Sequence, residues 1–113
     1  MNGRDITRLT LRLLGAGVFA FAGTVAHAGD PVRGKSIAAA CAACHGETGS
    51  SIAPIFPNIG GQHEQYLYRA LLDYKLGNRK NPIMAPQVEA LTRADMRDLA
   101  AYFASQPGLY LKR

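Results

Sequence analysis

Cysteine occurs only twice in the 113 residues, and aromatic side chains make up 8% and charged ones 19% of the chain. Two cysteines close at most one disulfide, so a disulfide-dense scaffold is excluded. A structural zinc site wants four ligands, and after residue 28 only Cys41, Cys44, His45 and His63 could supply thiolate or imidazole. No run reaches the ~20 apolar residues that a membrane span needs. No alternating β-branched segment of useful length occurs either, which argues against a sheet. At 48% hydrophobic the chain is too apolar for a disordered tail, and one domain is the ceiling for its length.

The apolar residues that are present are unevenly spread. Residues 13–26 form an uncharged block of 14, preceded by Arg4, Arg8 and Arg12 and followed by Ala26-His27-Ala28. A basic leader, a short apolar segment and an A-x-A site are the parts of a secretory signal peptide, with cleavage expected after Ala28. An uncleaved leader would tether the same domain to the membrane. The expected mature chain is residues 29–113, with ten basic and seven acidic side chains and a net charge of +3. These charges are dispersed, which excludes a nucleic-acid stripe and suits a mildly basic face for an acidic protein partner. Small exported domains usually need a disulfide, a metal or a cofactor to complete their cores.

The two cysteines stand in Cys41-Ala42-Ala43-Cys44-His45. Two intervening residues bring both thiols to one side of a helical turn, within reach of the two vinyl groups of one haem. The next residue then lies under the macrocycle, where its imidazole can ligate iron. Only three of the 113 residues are histidine, so one placed directly after C-x-x-C is a specific signal. A thioredoxin-like pair would follow a strand, and none is expected here. A disulfide across two residues would close a small strained ring.

An electron-carrying haem iron takes a second axial ligand, and thioether sulfur is the usual partner of histidine. Met84 lies in Asn81-Pro82-Ile83-Met84-Ala85-Pro86, where two prolines predict a stiff, non-helical loop able to hold a side chain over the haem. Met96 instead shares a helical spacing with Leu99, Ala100 and Phe103 and is expected to pack in the core. His63 is the other candidate for the sixth position, at the entry of a helix. An open site is the remaining alternative.

The rest of the chain after residue 28 reads as helices and loops. Asp30-Pro31 is an N-cap followed by proline at the first helical position, predicting a helix that continues through Ser36 to the cysteines. Gly34 inside it is costly unless another helix comes close. Residues 46–61 form a loop whose Ile52, Ile55, Phe56 and Ile59 are expected to wrap the proximal haem edge. Tyr66, Leu67, Ala70, Leu71 and Tyr74 give a second helical stripe ending at Gly77. Tyr66 and Tyr74 are read as core, with contact to the haem carboxylates as the other reading. Thr92-Arg93-Ala94-Asp95 resembles a capping box that opens a last helix, which should cross the first at Gly34.

Taken in order, Cys41-Ala42-Ala43-Cys44-His45-Gly46, Pro57-Asn58-Ile59-Gly60-Gly61-Gln62, Arg79 to Pro86 and Asp98 to Phe103 resemble a class I c-type cytochrome. The resemblance is to one haem domain of the periplasmic cytochrome c-four group and its monohaem relatives. It implies an all-α cytochrome c fold of about four helices around one covalent haem c. It implies thioether bonds at Cys41 and Cys44, axial ligation by His45 and Met84, and a Pro57 carbonyl accepting from the far ring nitrogen of His45. The chain departs from the c-four pattern in carrying one haem motif.

The expected function is a periplasmic one-electron carrier cycling Fe(III) and Fe(II) between redox protein partners, with no catalytic acid, base or nucleophile. Membrane contact would come only through partners or an uncleaved signal. Lys75, Arg79 and Lys80 are placed to steer an acidic partner. The alternative is a haem c subunit of a larger periplasmic dehydrogenase, and a third reading is a gas sensor or enzyme with an open distal site.

Overall fold

The computed structural model describes residues 28–108 together with Gly17 and Gly23; the predicted leader otherwise lies outside the described residues, as do 109–113. Among the described residues there are five helices: α1 (Pro31–Ser36), α2 (Ala39–His45), α3 (Glu64–Leu76), α4 (Met84–Val88) and α5 (Arg93–Ala104). None is long and apolar enough to cross a membrane.

Local signals start and stop most of these elements. The Asp30 carboxylate accepts from the backbone N–H of Val32 and Arg33, satisfying two of the donors that a helix start leaves unpaired. Thr92 and Asp95 form the full reciprocal capping box of α5. At the end of α3, Gly77 adopts φ 77°, the left-handed conformation that a side chain disfavours.

Two expectations fail on tertiary grounds. The single helix from Asp30 to the cysteines is two, because Ile37 N–H bonds back to Gly34 and Ala38 N–H to Lys35, tightening the chain into a turn before α2 begins. On an unbroken helix Gly34, Ala38, Cys41 and His45 would share one stripe. The turn separates Gly34, which meets α5, from Cys41 and His45. The segment around Met84 is likewise a short helix, not an extended loop. Pro86 occupies its third position, where the missing N–H removes a donor that would have no intrahelical partner, so the ring is tolerated. The Asn81 carboxamide accepts from Ile83 and Met84 N–H and starts the turn.

The core lies where α1 and α3 pack on α5. Ala38, Leu67, Leu99, Ala100, Tyr102 and Phe103 form one buried cluster. Met96 is fully buried, as its spacing predicts. The α1–α5 crossing is so close that a Cβ on Gly34 would collide with the Asp98 carbonyl, and would meet Tyr102 Cβ at 2.8 Å. Across this seam the Arg33 guanidinium bridges Asp95 at 2.6 Å and Asp98 at 2.5 Å.

That bridge carries a pH dependence. The Thr92 backbone N–H, then the Arg33 guanidinium, hold the Asp95 carboxyl at about 2 against an ordinary value of 3.8. The Asp30 N–H, then Arg33, also lower Asp98. A carboxyl depressed by folding stabilises the fold fully above its unfolded value, and the contribution disappears as pH falls from there towards the folded value. The thermal midpoint should therefore decline as pH falls from about 4 towards about 2, and Asp95→Asn should flatten that decline. A melting series whose acid slope is the same in both proteins would refute it.

Candidate haem pocket

The core cluster is not closed. Between α3 and α5 it opens into a cavity of about 200 Å³ that reaches solvent. Cys41 and His45 line it from α2, Pro57, Asn58 and Ile59 from the following loop, and Gln62 from the approach to α3. From α3 come Tyr66, Leu67, Ala70, Leu71 and Tyr74; from α5 Leu99, Ala100 and Phe103; and Met84 lines it from the start of α4. Cys41, His45 and Met84, distant in sequence, thus border one space. Cys44 is half-buried on α2, three residues from Cys41, and both are free thiols. Burial pushes the Cys41 thiol above its ordinary value, which keeps it protonated near neutral pH.

His45 is buried, with Nδ1 placed 2.8 Å from the Pro57 carbonyl oxygen. With the proton on Nδ1 that nitrogen donates to the carbonyl, leaving the Nε2 lone pair for another partner. The loop that presents the carbonyl is tied down by its own backbone. Ile59 N–H donates to Gly49 O at 2.8 Å, Gly61 N–H to Phe103 O at 2.9 Å, and Ser51 N–H to the Asn58 side chain at 2.7 Å. The Tyr102 hydroxyl donates to the Glu47 carbonyl at 2.5 Å and fastens the start of the loop to α5.

His63, the weaker candidate for the sixth position, is exposed at the N-cap of α3 and is not among the residues lining the cavity. Other sequence readings need correction here. Tyr66 is 54% exposed and stands at the cavity wall rather than in the core. Ile52 and Ile55 do not wrap the pocket: they are 68% and 76% exposed, and of the loop's isoleucines only Ile59 faces it. Lys75 is exposed, and its ammonium donates to the carbonyls of Glu89 at 2.8 Å and Leu91 at 2.6 Å, a role in the fold that its local sequence did not announce. These carbonyls follow the end of α4, so Lys75 anchors that helix to α3.

Arg79 is the residue whose role the sequence concealed. Its guanidinium carbon lies 4.9 Å from the centre of the Tyr74 ring, and both residues line the cavity. It is the one Lys, Arg, Asp or Glu among the lining residues. No described carboxylate lies within salt-bridge distance of it.

A largely apolar cavity lined by Cys41, with a second thiol on the same helix turn, an imidazole directly after the pair and a cation at the wall, has the donor set of a covalent haem c domain. The chain belongs to the cytochrome c family, whose model matches residues 31–107. It is 47% identical over 83 residues to cytochrome c4 of Pseudomonas aeruginosa, covering 73% of this chain and 41% of that protein. It is 40% identical over 82 residues to cytochrome c-554(548) of Halomonas halodenitrificans, covering 70% of this chain and 99% of that one. The structure of reduced recombinant cytochrome c4 from Pseudomonas stutzeri superposes with a TM-score of 0.69 at 42% identity, over 73% of this chain and 48% of that. The chain therefore spans under half of the cytochrome c4 relatives. The cofactor of the family is covalently attached haem c, and Cys41-Ala42-Ala43-Cys44-His45 is its attachment motif in this chain.

Anchoring by Lys75 has a measurable consequence. Lys75→Met keeps the aliphatic stem and removes the charged donor, so it should destabilise the domain by about 1 kcal/mol, the net worth of a typical intramolecular hydrogen bond. In thermal unfolding that is a drop of about 4–8 °C for a domain of this size. An unchanged midpoint would show that the Lys75 contacts contribute nothing.

Proposed function

We propose that this chain is a periplasmic one-electron carrier in which Cys41 and Cys44 hold one haem c and His45 and Met84 ligate its iron. The observation that carries the reading is the convergence of Cys41, His45 and Met84 on one apolar cavity. Bound haem supplies the Fe(III)/Fe(II) couple. The polypeptide's part is to hold and insulate that couple. The thiols of α2 fix the group at one edge. The Pro57 carbonyl orients the His45 ring and raises the basicity of its free nitrogen. Met84 offers a thioether from a helix started by Asn81 and anchored by Lys75. Leu67, Leu99 and Phe103 keep water from the site.

The Arg79 guanidinium would face a group that carries two carboxylates, and an arginine can meet one of them with paired hydrogen bonds. Its positive charge also favours the form of the iron with one more electron. Around the cavity, Tyr66 and Ile83 are exposed and Lys80 stands exposed beside Arg79. This is an apolar rim with a basic margin, suited to an acidic redox partner. Export through the leader 1–28 puts the domain where such partners and covalent haem attachment are found.

The ligand assignment is tested with the haem-loaded protein. Met84→Ala should retain covalent haem on a denaturing gel but lose the weak absorbance at the red edge of the visible spectrum that reports iron–sulfur ligation, while His63→Ala keeps it. An unaltered spectrum in Met84→Ala would remove Met84 from the iron. For Arg79, spectroelectrochemical titration should show that Arg79→Gln is harder to reduce, with the reduction equilibrium shifted about tenfold towards Fe(III), and that Arg79→Lys recovers much of the shift. Equal potentials in all three proteins would leave Arg79 without influence on the couple.

A further inference from the structure

We propose that removal of the leader after Ala28 creates an ion pair, in which the new α-ammonium of Gly29 docks on the Glu64 carboxylate and fixes the start of the chain between α3 and α5. The proposal rests on the export reading above and adds a site for the chain's own processed terminus. Gly29 N lies 3.2 Å from Glu64 Oε1, across 35 residues of sequence. The position is built for glycine: a Cβ there would collide with the Arg97 carbonyl oxygen and come within 2.9 Å of Ala101 Cβ. The next residue is pinned too, since Asp30 N–H donates to Asp98 Oδ1 at 2.8 Å. Ala28, the last residue of the expected leader, is exposed. The expected cleavage bond thus joins an exposed Ala28 to a half-buried Gly29.

Cleavage changes the chemistry at that nitrogen without requiring it to move. Water adds across the Ala28–Gly29 peptide bond under a leader endopeptidase, Ala28 leaves with the carboxylate, and Gly29 keeps the nitrogen. In the intact chain this atom is a neutral amide with one N–H. After the cut it is an amine with a pKa of about 8, protonated at neutral pH. A neutral donor facing Glu64 becomes a cation with three donors, and a charge-assisted bond is the stronger one.

A two-by-two comparison of exported, haem-loaded proteins isolates the charge. One arm carries Glu64→Gln, which keeps an oxygen acceptor and removes the negative charge. The other carries a serine inserted between Ala28 and Gly29, so that the same cut leaves Gly29 as an internal amide. Intact mass should show the unextended protein beginning at Gly29. Glu64→Gln should lower its thermal midpoint by about 3 °C at low salt, the scale of one partly exposed pair. The shift should shrink at high salt. In the serine-extended protein the same substitution should cost close to nothing. A mature chain starting elsewhere would overturn the processing reading and this site together. A chain starting at Gly29 in which Glu64→Gln has the same effect with and without the extra serine would overturn the ion pair alone.

Discussion

The walls of the haem cavity are also the core of the domain. Leu67, Leu99, Ala100 and Phe103 are buried among themselves and at the same time border an open cavity of about 200 Å³. Protein interiors pack to the density of organic crystals, and each apolar group left facing a void loses contact partners it would otherwise have. An apolar core around a space of this size is an incomplete one. An 85-residue expected mature chain has little other apolar surface with which to compensate. The domain and its ligand are therefore parts of one packing problem. Under the proposed function, covalent attachment at Cys41 and Cys44 would serve folding as well as chemistry, because a group that is part of the core must not dissociate.

The same constraint explains why the loop after His45 is held so firmly. Residues 48–62 carry no charged side chain, and their order comes from backbone bonds to Gly49, to Phe103 and within the loop. The partner of His45 Nδ1 is itself a backbone carbonyl. Orientation of the imidazole thus depends on the path of the main chain. Ile52 and Ile55 project from this loop into solvent because the pocket wall is already occupied by Pro57, Asn58 and Ile59.

What could be read in advance follows from the range of each signal. Asp30-Pro31, the Thr92 and Asp95 box, the Gly77 cap and the helical spacing of Met96, Leu99, Ala100 and Phe103 act over a few residues, and all are found where the sequence puts them. Gly34 was legible too, since a glycine inside a helix asks for a close neighbour and α5 supplies one. The turn at Ile37 and Ala38 was not, because it answers a competition between facing α5 and facing the cavity that only the assembled fold poses. Arg79 and Lys75 read alike as surface cations in a basic stretch. The fold gives one a Tyr74 ring at the pocket wall and the other two carbonyls after α4, and nothing in their local sequence separates those outcomes.

The two flanks of the cavity differ in what secures them. α2 is joined to the core through Ala38 and Cys41, and His45 is buried beneath the Pro57 loop. α4 is five residues long, has Val88 as its one buried side chain, and packs chiefly on α3. Its ends are held by polar groups, the Asn81 carboxamide at the start and the Lys75 ammonium beyond the finish. Such contacts exchange readily with water, whereas buried apolar ones do not. Local opening of α4 therefore has a lower free energy than unfolding of α1, α3 and α5. The cysteine and histidine side is built into the core, and the methionine side is clamped onto it. This asymmetry lets the thioether position yield without loss of the fold.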